Sequence, residues 1–236
     1  MSPNLLPGIV SQFECLGKRV RFFISNLADT IQNRQANGGF YEAEELMIIQ
    51  GNIEPGAVFL DIGSNVGNHA IFVGTYCDPK EMILIEPNPA AIQILELNLL
   101  LNAITADVSH LGLGLSDGES RAEAAWAPNN LGGARMIAQD EGPIRLVSGD
   151  SLFADRHIDF IKIDVEGHEM AVLAGLKATI AASRPTIFIE VDNANQTAFE
   201  AWCVSHDYGV ISAYRRYQVN ENFLIAPNER DALDQA

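Results

Sequence analysis

The chain has 236 residues and a formal net charge of −16, and 47% of its residues are hydrophobic. This length fits one sizeable α/β domain, and the apolar content is enough for a core. With only 15 Lys and Arg, the charge argues against a nucleic-acid partner and against docking on an anionic membrane. Three widely spaced cysteines predict reduced thiols in a cytoplasmic protein, without a disulfide framework or a zinc site. No signal peptide or membrane-spanning run is recognisable, so we expect no stable membrane insertion.

The predicted elements begin weakly and then alternate regularly. Residues 1–40 are expected to form an N-terminal extension or cap, with one candidate strand at 20–24, and residues 41–236 the main domain. In chain order, the main domain is predicted to contain a helix at 41–50, a strand at 57–62, a helix at 68–77, a strand at 82–86, a helix capped by Asn88, strands at 108–115 and 158–164, a helix at 167–182, a strand at 186–191, a helix at 199–206 and an antiparallel pair at 209–213 and 223–226.

Unbroken apolar strands separated by amphipathic helices indicate a mainly parallel sheet that is covered on both faces. The predicted fold is therefore α/β, a doubly wound, mainly parallel seven-stranded sheet with an antiparallel last strand. Residues 119–149 interrupt the alternation, because they are rich in Gly, Asn, Pro and Ala. They predict an inserted hairpin or lid.

Ligands of such sheets bind outside the carboxyl ends of the strands. The first of these ends is a glycine loop, and its candidate ligand-binding residues are Asp61, Gly63, Ser64, Asn65, Gly67 and Asn68. Glycines permit close approach of a ligand, and the following helix offers free N–H groups. A buried acid at Asp61 needs a partner, such as the ammonium group of a ligand. A tight turn without a ligand is the alternative.

The second and third strand ends carry further acids. Glu86, followed by Pro87, comes 25 residues after Asp61, close to the separation of about 20 residues at which an acid grips ribose hydroxyls. A solvated acid at a helix start is the alternative. Asp117, at the third end, either meets an adenine amino group or belongs to an ordinary Asp-Gly turn.

The fourth strand end is the richest in reactive groups, with Asp164, Glu166 and His168 as catalytic candidates. A carboxylate or imidazole there could remove the proton of a hydroxyl, or the acids could hold a divalent cation. An acidic helix start is the alternative, above all for Glu169. Asp150, Glu190 and Asp192 are weaker candidates for the same pocket, and His69 would at most line it.

Three segments together resemble the FkbM-type methyltransferases, a class I family. They are residues 59–67 (FLDIGSNVG), 85–89 (IEPNP) with 98–102, and 161–169 (IKIDVEGHE), within a resemblance that runs from about residue 41 to 191. The resemblance implies S-adenosylmethionine as methyl donor and a hydroxyl acceptor on a sugar, glycolipid, polyketide or similar small molecule. It implies that Asp61, Gly63, Asn65 and Gly67 form the donor loop, that Glu86 binds the ribose, and that Asp164, Glu166 and Gly167 form the fourth-strand block.

Other features favour a methyltransferase over the alternative functions on the same fold. A nicotinamide-dependent oxidoreductase would need Gly-x-Gly-x-x-Gly, but Asn65 stands where its second glycine belongs. A non-catalytic binding protein would show an eroded loop, and this loop is intact. The Asn/Asp-Pro-Pro-aromatic signature of many methyltransferases that act on nucleic-acid amines is absent, which favours oxygen. Within the insertion, 129–135 is our candidate for acceptor contact, and a homo-oligomer is compatible with the sequence.

Overall fold

The computed structural model describes residues 6–127 and 130–228. The chain begins with an antiparallel hairpin of β1 (Ile9–Cys15) and β2 (Lys18–Ile24), followed by α1 (Thr30–Ala36) and α2 (Ala43–Gln50). This segment packs on the rest of the protein through buried aromatic rings. The Phe40 ring lies edge-on to Phe22 at 5.5 Å and to Phe72 at 5.2 Å between centroids. The predicted strand at 20–24 and the helix at 41–50 are both confirmed.

The main sheet has six strands. In spatial order they are β11 (Tyr208–Tyr214), β12 (Asn220–Pro227), β10 (Thr186–Asp192), β9 (Phe160–Ile163), β3 (Val58–Ile62) and β4 (Glu81–Ile85). The inner strands β10, β9, β3 and β4 are parallel, and β12 is antiparallel to both of its neighbours. The antiparallel last strand is therefore confirmed.

The prediction that a seventh strand belongs to the main sheet is wrong. Within the described residues, this part of the chain pairs with β4 through an isolated parallel bridge between Ile83 and Asp107. The chain then turns through Gly112 and enters a second sheet as β5 (Leu113–Ser116). That sheet has the order β5, β8 (Ile144–Ser148), β6 (Ser120–Ala127) and β7 (Asn130–Ala138). The insertion thus supplies β5 with a hydrogen-bonding partner of its own. The antiparallel pair of β6 and β7 lies within residues 119–149.

Helices cover both faces of the main sheet. They are α3 (Asn68–Tyr76), α4 (Pro89–Leu101), α5 (Asp150–Phe153), α6 (Glu169–Gly175), α7 (Lys177–Ser183) and α8 (Gln196–His206). Alternate residues of β3 enter opposite cores, Phe59 on one side and Leu60 on the other. Among the described residues, no helix has both the length and the hydrophobicity to cross a membrane.

Two local predictions for the helices had different outcomes. Asn88 caps α4 as predicted, because its side chain accepts a hydrogen bond from Ala90 N at 2.9 Å. The single helix predicted at 167–182 is wrong, since the chain breaks at Leu176 into α6 and α7. The Asp150 carboxylate accepts hydrogen bonds of 2.8 Å from Ala178 N and Thr179 N, and so satisfies the start of the second helix.

Candidate active site

A cavity of about 410 Å³ opens at the carboxyl ends of β3, β4, β9 and β10. Most residues predicted for the site line this cavity: Gly63, Ser64, Asn65, Asn68, Glu86, Pro87, Asp164, Glu166 and His168. Asp61, Gly67 and Asp117 do not line it. The topology thus brings together strand ends that are far apart in the chain.

The loop after β3 is held against the end of β4. Gly63 has φ +80°, and its N–H, like that of Ser64, donates to the carbonyl of Ile85, at 2.9 and 3.0 Å. A Cβ on Gly63 would lie 1.9 Å from the carbonyl oxygen of Asp164, so this position admits no side chain without movement. The close contact between β3 and β9 therefore depends on a glycine here.

Glu86 is fixed in the cavity wall by backbone hydrogen bonds. Its Oε2 accepts from Asn65 N at 2.7 Å and its Oε1 from Asn88 N at 2.8 Å. The side chain is buried, and burial raises the pKa of Glu86 to about 7 against the opposing effect of these hydrogen bonds. Each carboxylate oxygen keeps a lone pair for a further donor, which is what two neighbouring ribose hydroxyls require.

Asp61 lies behind the cavity wall, where its partner is Lys162. The Lys162 Nζ lies 3.2 Å from Asp61 Oδ1 and 3.6 Å from Asp164 Oδ2, and it donates to the Gly63 carbonyl at 2.6 Å. Burial alone would lower the pKa of Lys162, but the two carboxylates outweigh it and raise that pKa above its usual value. Lys162 is therefore a buried cation that ties β3, β9 and the glycine loop together.

Sequence reasoning missed the role of Lys162. The signal was a lysine inside the apolar run 160–163, since a buried charge requires a partner. The partner became identifiable only through the register of the sheet, which places Asp61 opposite Lys162 on the neighbouring strand. The predicted contact of Asp61 with a ligand ammonium group stays a prediction.

Three further acids form a cluster in the cavity wall. Carboxylate oxygens of Asp164, Glu166 and Glu190 all lie within 4.8 Å of one another, a spacing that could hold a divalent cation. Burial and repulsion by Asp164 raise the pKa of Glu190 to about 10, and the same two causes raise the pKa of Glu42 to about 8. A cation bound beside these acids would relieve their mutual repulsion and stabilise the ionised carboxylates. Glu42 lies just before α2, and no pattern in the sequence pointed to it.

His168 lies near the third strand end. Its Nε2 is 3.0 Å from the Ser116 hydroxyl, which also donates to Asp117 Oδ1 at 3.2 Å. Burial lowers the pKa of His168, with Asp117 opposing the shift, so the imidazole is mainly neutral. Asp117 itself is exposed. Its predicted adenine contact and the predicted catalytic role of His168 stay predictions.

Segments from both ends of the chain complete the cavity. The side-chain amide of Asn68 forms two hydrogen bonds with the backbone of Tyr41. Its Nδ2 donates to the Tyr41 carbonyl at 2.8 Å, and its Oδ1 accepts from the Tyr41 N–H at 3.1 Å. The Tyr41 hydroxyl forms a short hydrogen bond with that of Tyr217, which also lines the cavity. Arg216, next to it, is bound to α2 through the buried carboxylate of Glu45. These contacts join the N-terminal segment to the β11–β12 connection beside the cavity.

The inserted hairpin forms a further wall through Leu131, Gly132 and Met136. It is held in place by Asp29, whose Oδ2 accepts from Leu131 N at 3.0 Å while its Oδ1 caps α1. Of the segment predicted for acceptor contact, residue 129 lies outside the described residues. The hairpin is thus part of the cavity, and acceptor contact by this segment stays a prediction.

The mixed sheet, the glycine loop after β3 and the acid that ends β4 are the features of a Rossmann-like methyltransferase. The chain belongs to the methyltransferase FkbM domain family, which it matches over residues 61–211. The predicted family is therefore confirmed, and S-adenosylmethionine is the methyl donor of these enzymes.

One relative is the hexuronic acid methyltransferase AglP of Haloferax volcanii, 28% identical over 166 residues. That alignment takes in 69% of this chain and 66% of AglP, slightly less than two thirds of the relative.

Solved structures agree in fold. Methyltransferase FkbM from Methylobacillus flagellatus superposes with a TM-score of 0.52 at 17% identity, over 82% of this chain and 52% of that one. The M. jannaschii tRNA m1G37 methyltransferase gives a TM-score of 0.53 at 13% identity, over 94% of this chain and 55% of the other. At these identities the likeness shows the fold alone, so the second structure does not bring an RNA substrate to this protein.

Proposed function

We propose that this protein transfers the methyl group of S-adenosylmethionine to a hydroxyl oxygen of a sugar or sugar acid, within the wider class of small hydroxylated metabolites. The observation that carries the proposal is the fixed Glu86 carboxylate beside the glycine loop. It offers two oriented acceptors for ribose hydroxyls in a buried wall. The family membership and the likeness to a hexuronic acid methyltransferase support the reaction and the acceptor class.

The charge of the cavity suits this donor. The sulfonium of S-adenosylmethionine is a cation, and we assign the part of the cavity lined by the acids Asp164, Glu166 and Glu190 to the reacting methyl group. Methyl transfer needs an in-line approach of the hydroxyl and exclusion of water, and a cavity wall made from several segments of the chain can hold both reactants for it. Asp61 then acts through Lys162, which holds the Gly63 carbonyl. We also propose a cytoplasmic location, in keeping with the free thiols of all three cysteines.

Donor binding is tested first, by calorimetric titration with S-adenosylhomocysteine and, in parallel, with NAD. We expect saturable binding of the first alone. Glu86→Gln removes a charged hydrogen-bond acceptor worth about 1.5–3 kcal/mol, so affinity should fall roughly 10- to 150-fold. The control is Glu96→Gln, an exposed glutamate on α4, which should bind as the wild type does. Binding of NAD instead, or equal affinity in the two variants, contradicts the proposed donor site.

The acceptor is tested with radiolabelled S-adenosylmethionine and a panel of p-nitrophenyl hexosides and hexuronides, each with magnesium and with a chelator. Label in an alkali-stable ether product supports O-methylation of a sugar. Label in an amine, or turnover confined to RNA or protein acceptors, contradicts it. A requirement for magnesium would indicate that the acids Asp164, Glu166 and Glu190 bind a cation.

A further inference from the structure

His69 is a buried histidine that the proposed donor site leaves unused. It is the second residue of α3, it is 6% exposed, and it lines the cavity. Its Nε2 has no hydrogen-bond partner within the part of the chain that the structure describes. Leaving a buried polar atom unpaired costs about 1–3 kcal/mol, so such an atom in a cavity wall indicates a ligand group that satisfies it.

Glu42 faces this nitrogen across a gap. Its Oε2 lies 3.9 Å from His69 Nε2, which is too long for a direct hydrogen bond. A single hydroxyl oxygen can lie at about 2.8 Å from both atoms and bridge them. The charge of Lys162, on β9, acts on both side chains. Glu42 also faces the acids Asp164 and Glu45 and the cation Arg216.

The protonation states suit a hydroxyl that donates to His69 and accepts from Glu42. Burial, assisted by the charge of Lys162, lowers the pKa of His69 well below its usual value, so the imidazole is neutral and can present a lone pair. With its pKa raised to about 8, the Glu42 carboxyl carries a proton at neutral pH and can donate it in a hydrogen bond. His168, in contrast, lies against the Ser116 hydroxyl.

We propose that His69 is the catalytic base that takes the proton of the acceptor hydroxyl, and that Glu42 positions this hydroxyl. The inference rests on the proposed methyl transfer. The oxygen–carbon bond forms as the sulfur–carbon bond of the sulfonium breaks, and the hydroxyl proton moves to Nε2. The products are a methyl ether, neutral S-adenosylhomocysteine and an imidazolium, so the single positive charge passes from sulfur to His69. The imidazolium then returns its proton to solvent.

The test compares His69→Gln with His157→Gln, a control at a histidine that is exposed and outside the cavity. We expect kcat of His69→Gln to fall about 100-fold or more, as for loss of a general base, with the Kd of S-adenosylhomocysteine within threefold of wild type. The decline of wild-type kcat at low pH should disappear in this variant. His69→Ala should regain part of its turnover on addition of imidazole. Because this rescue requires a folded site that lacks only the base, it tests the proposal even if His69→Gln folds poorly.

Glu42 is tested by a pair of variants. Glu42→Ala should lower kcat, whereas Glu42→Gln keeps a hydrogen-bond donor of the same length and should restore most of it. A parallel loss of S-adenosylhomocysteine affinity in His69→Gln would make His69 a donor-binding residue and overturn the proposal, as would unchanged kcat. Wild-type protein that binds S-adenosylhomocysteine but methylates no hydroxyl would instead overturn the proposed function itself.

Discussion

Gly63→Ala tests the contact between the glycine loop and β9. The left-handed backbone at φ +80° costs an alanine about 1–2 kcal/mol. The new Cβ would lie 1.9 Å from the Asp164 carbonyl oxygen, whereas ordinary carbon–oxygen contacts are about 3.3 Å or longer. The two strand ends must therefore separate by about 1.4 Å, and forced repacking of this kind costs about 1–3 kcal/mol. The expected total loss of stability is about 2–5 kcal/mol.

Gly56→Ala is the matched control, because Gly56 has φ +83° and no atom within 4 Å of the position of a Cβ. It should cost only the backbone strain of about 1–2 kcal/mol. Urea unfolding measures the loss of stability in both variants. In thermal unfolding, each kcal/mol of lost stability lowers Tm by about 2–4 °C for a domain of this size. Calorimetry should show weaker S-adenosylhomocysteine binding for Gly63→Ala alone. If both variants are equally stable and bind equally well, the steric argument is refuted.

Three further predictions concern buried charges and the hairpin. Lys162→Met leaves the Asp61 carboxylate buried without its cation and should cost about 3–5 kcal/mol in chemical denaturation. The pKa of Glu86 is about 7 in the folded state and 4.5 when the side chain is free in the unfolded state. Between these two pH values the folded state therefore binds more protons than the unfolded state. Stability of the ligand-free protein should therefore fall as pH rises from about 4.5 to 7, by about 3 kcal/mol for this group. Asp29→Ala removes the cap of α1 and the acceptor of Leu131 N–H, and should cost about 1–2 kcal/mol while speeding amide exchange at Leu131.

Each of these predictions has its own control. Asp61→Asn combined with Lys162→Met should recover part of the stability lost by Lys162→Met alone, and no recovery would mean that the two groups are not coupled. Glu86→Gln should flatten the pH dependence between pH 4.5 and 7, and an unchanged slope would assign it to other groups. Asp29→Asn retains a side-chain oxygen for the cap, so a loss as large as that of Asp29→Ala would contradict the capping role.

Several features of the fold could be predicted from the sequence because they are local. The apolar runs of β3, β4, β9 and β10 are buried strands, and alternation with helices is enough to indicate a parallel sheet. Asn88 followed by Pro89 marks the start of a helix by the chemistry of the cap. Gly63 required a backbone conformation and a close approach that other residues resist. The family followed from the same strand ends.

Other features depended on partners that are distant in the chain. The strand predicted at 108–115 pairs with β8 in place of β4, because the inserted hairpin completes a sheet of its own. The helix predicted at 167–182 breaks where the side chain of Asp150 satisfies a new N-terminus. In both cases the apolar pattern identified residues that are buried. The hydrogen-bonding partner that redirected the strand or ended the helix came from another segment of the chain.

The sequence by itself determined most of the strands, the glycine loop and the acid at position 86, and its resemblance to a known family indicated the class of reaction. Only the tertiary structure decided which charges meet. Sheet register sets Lys162 against Asp61, and packing of the N-terminal segment brings Glu42 to within 3.9 Å of His69. The physical reason is that periodicity reports which face of an element is buried, whereas electrostatic and hydrogen-bonding partners are chosen by contacts between elements, which no local pattern encodes.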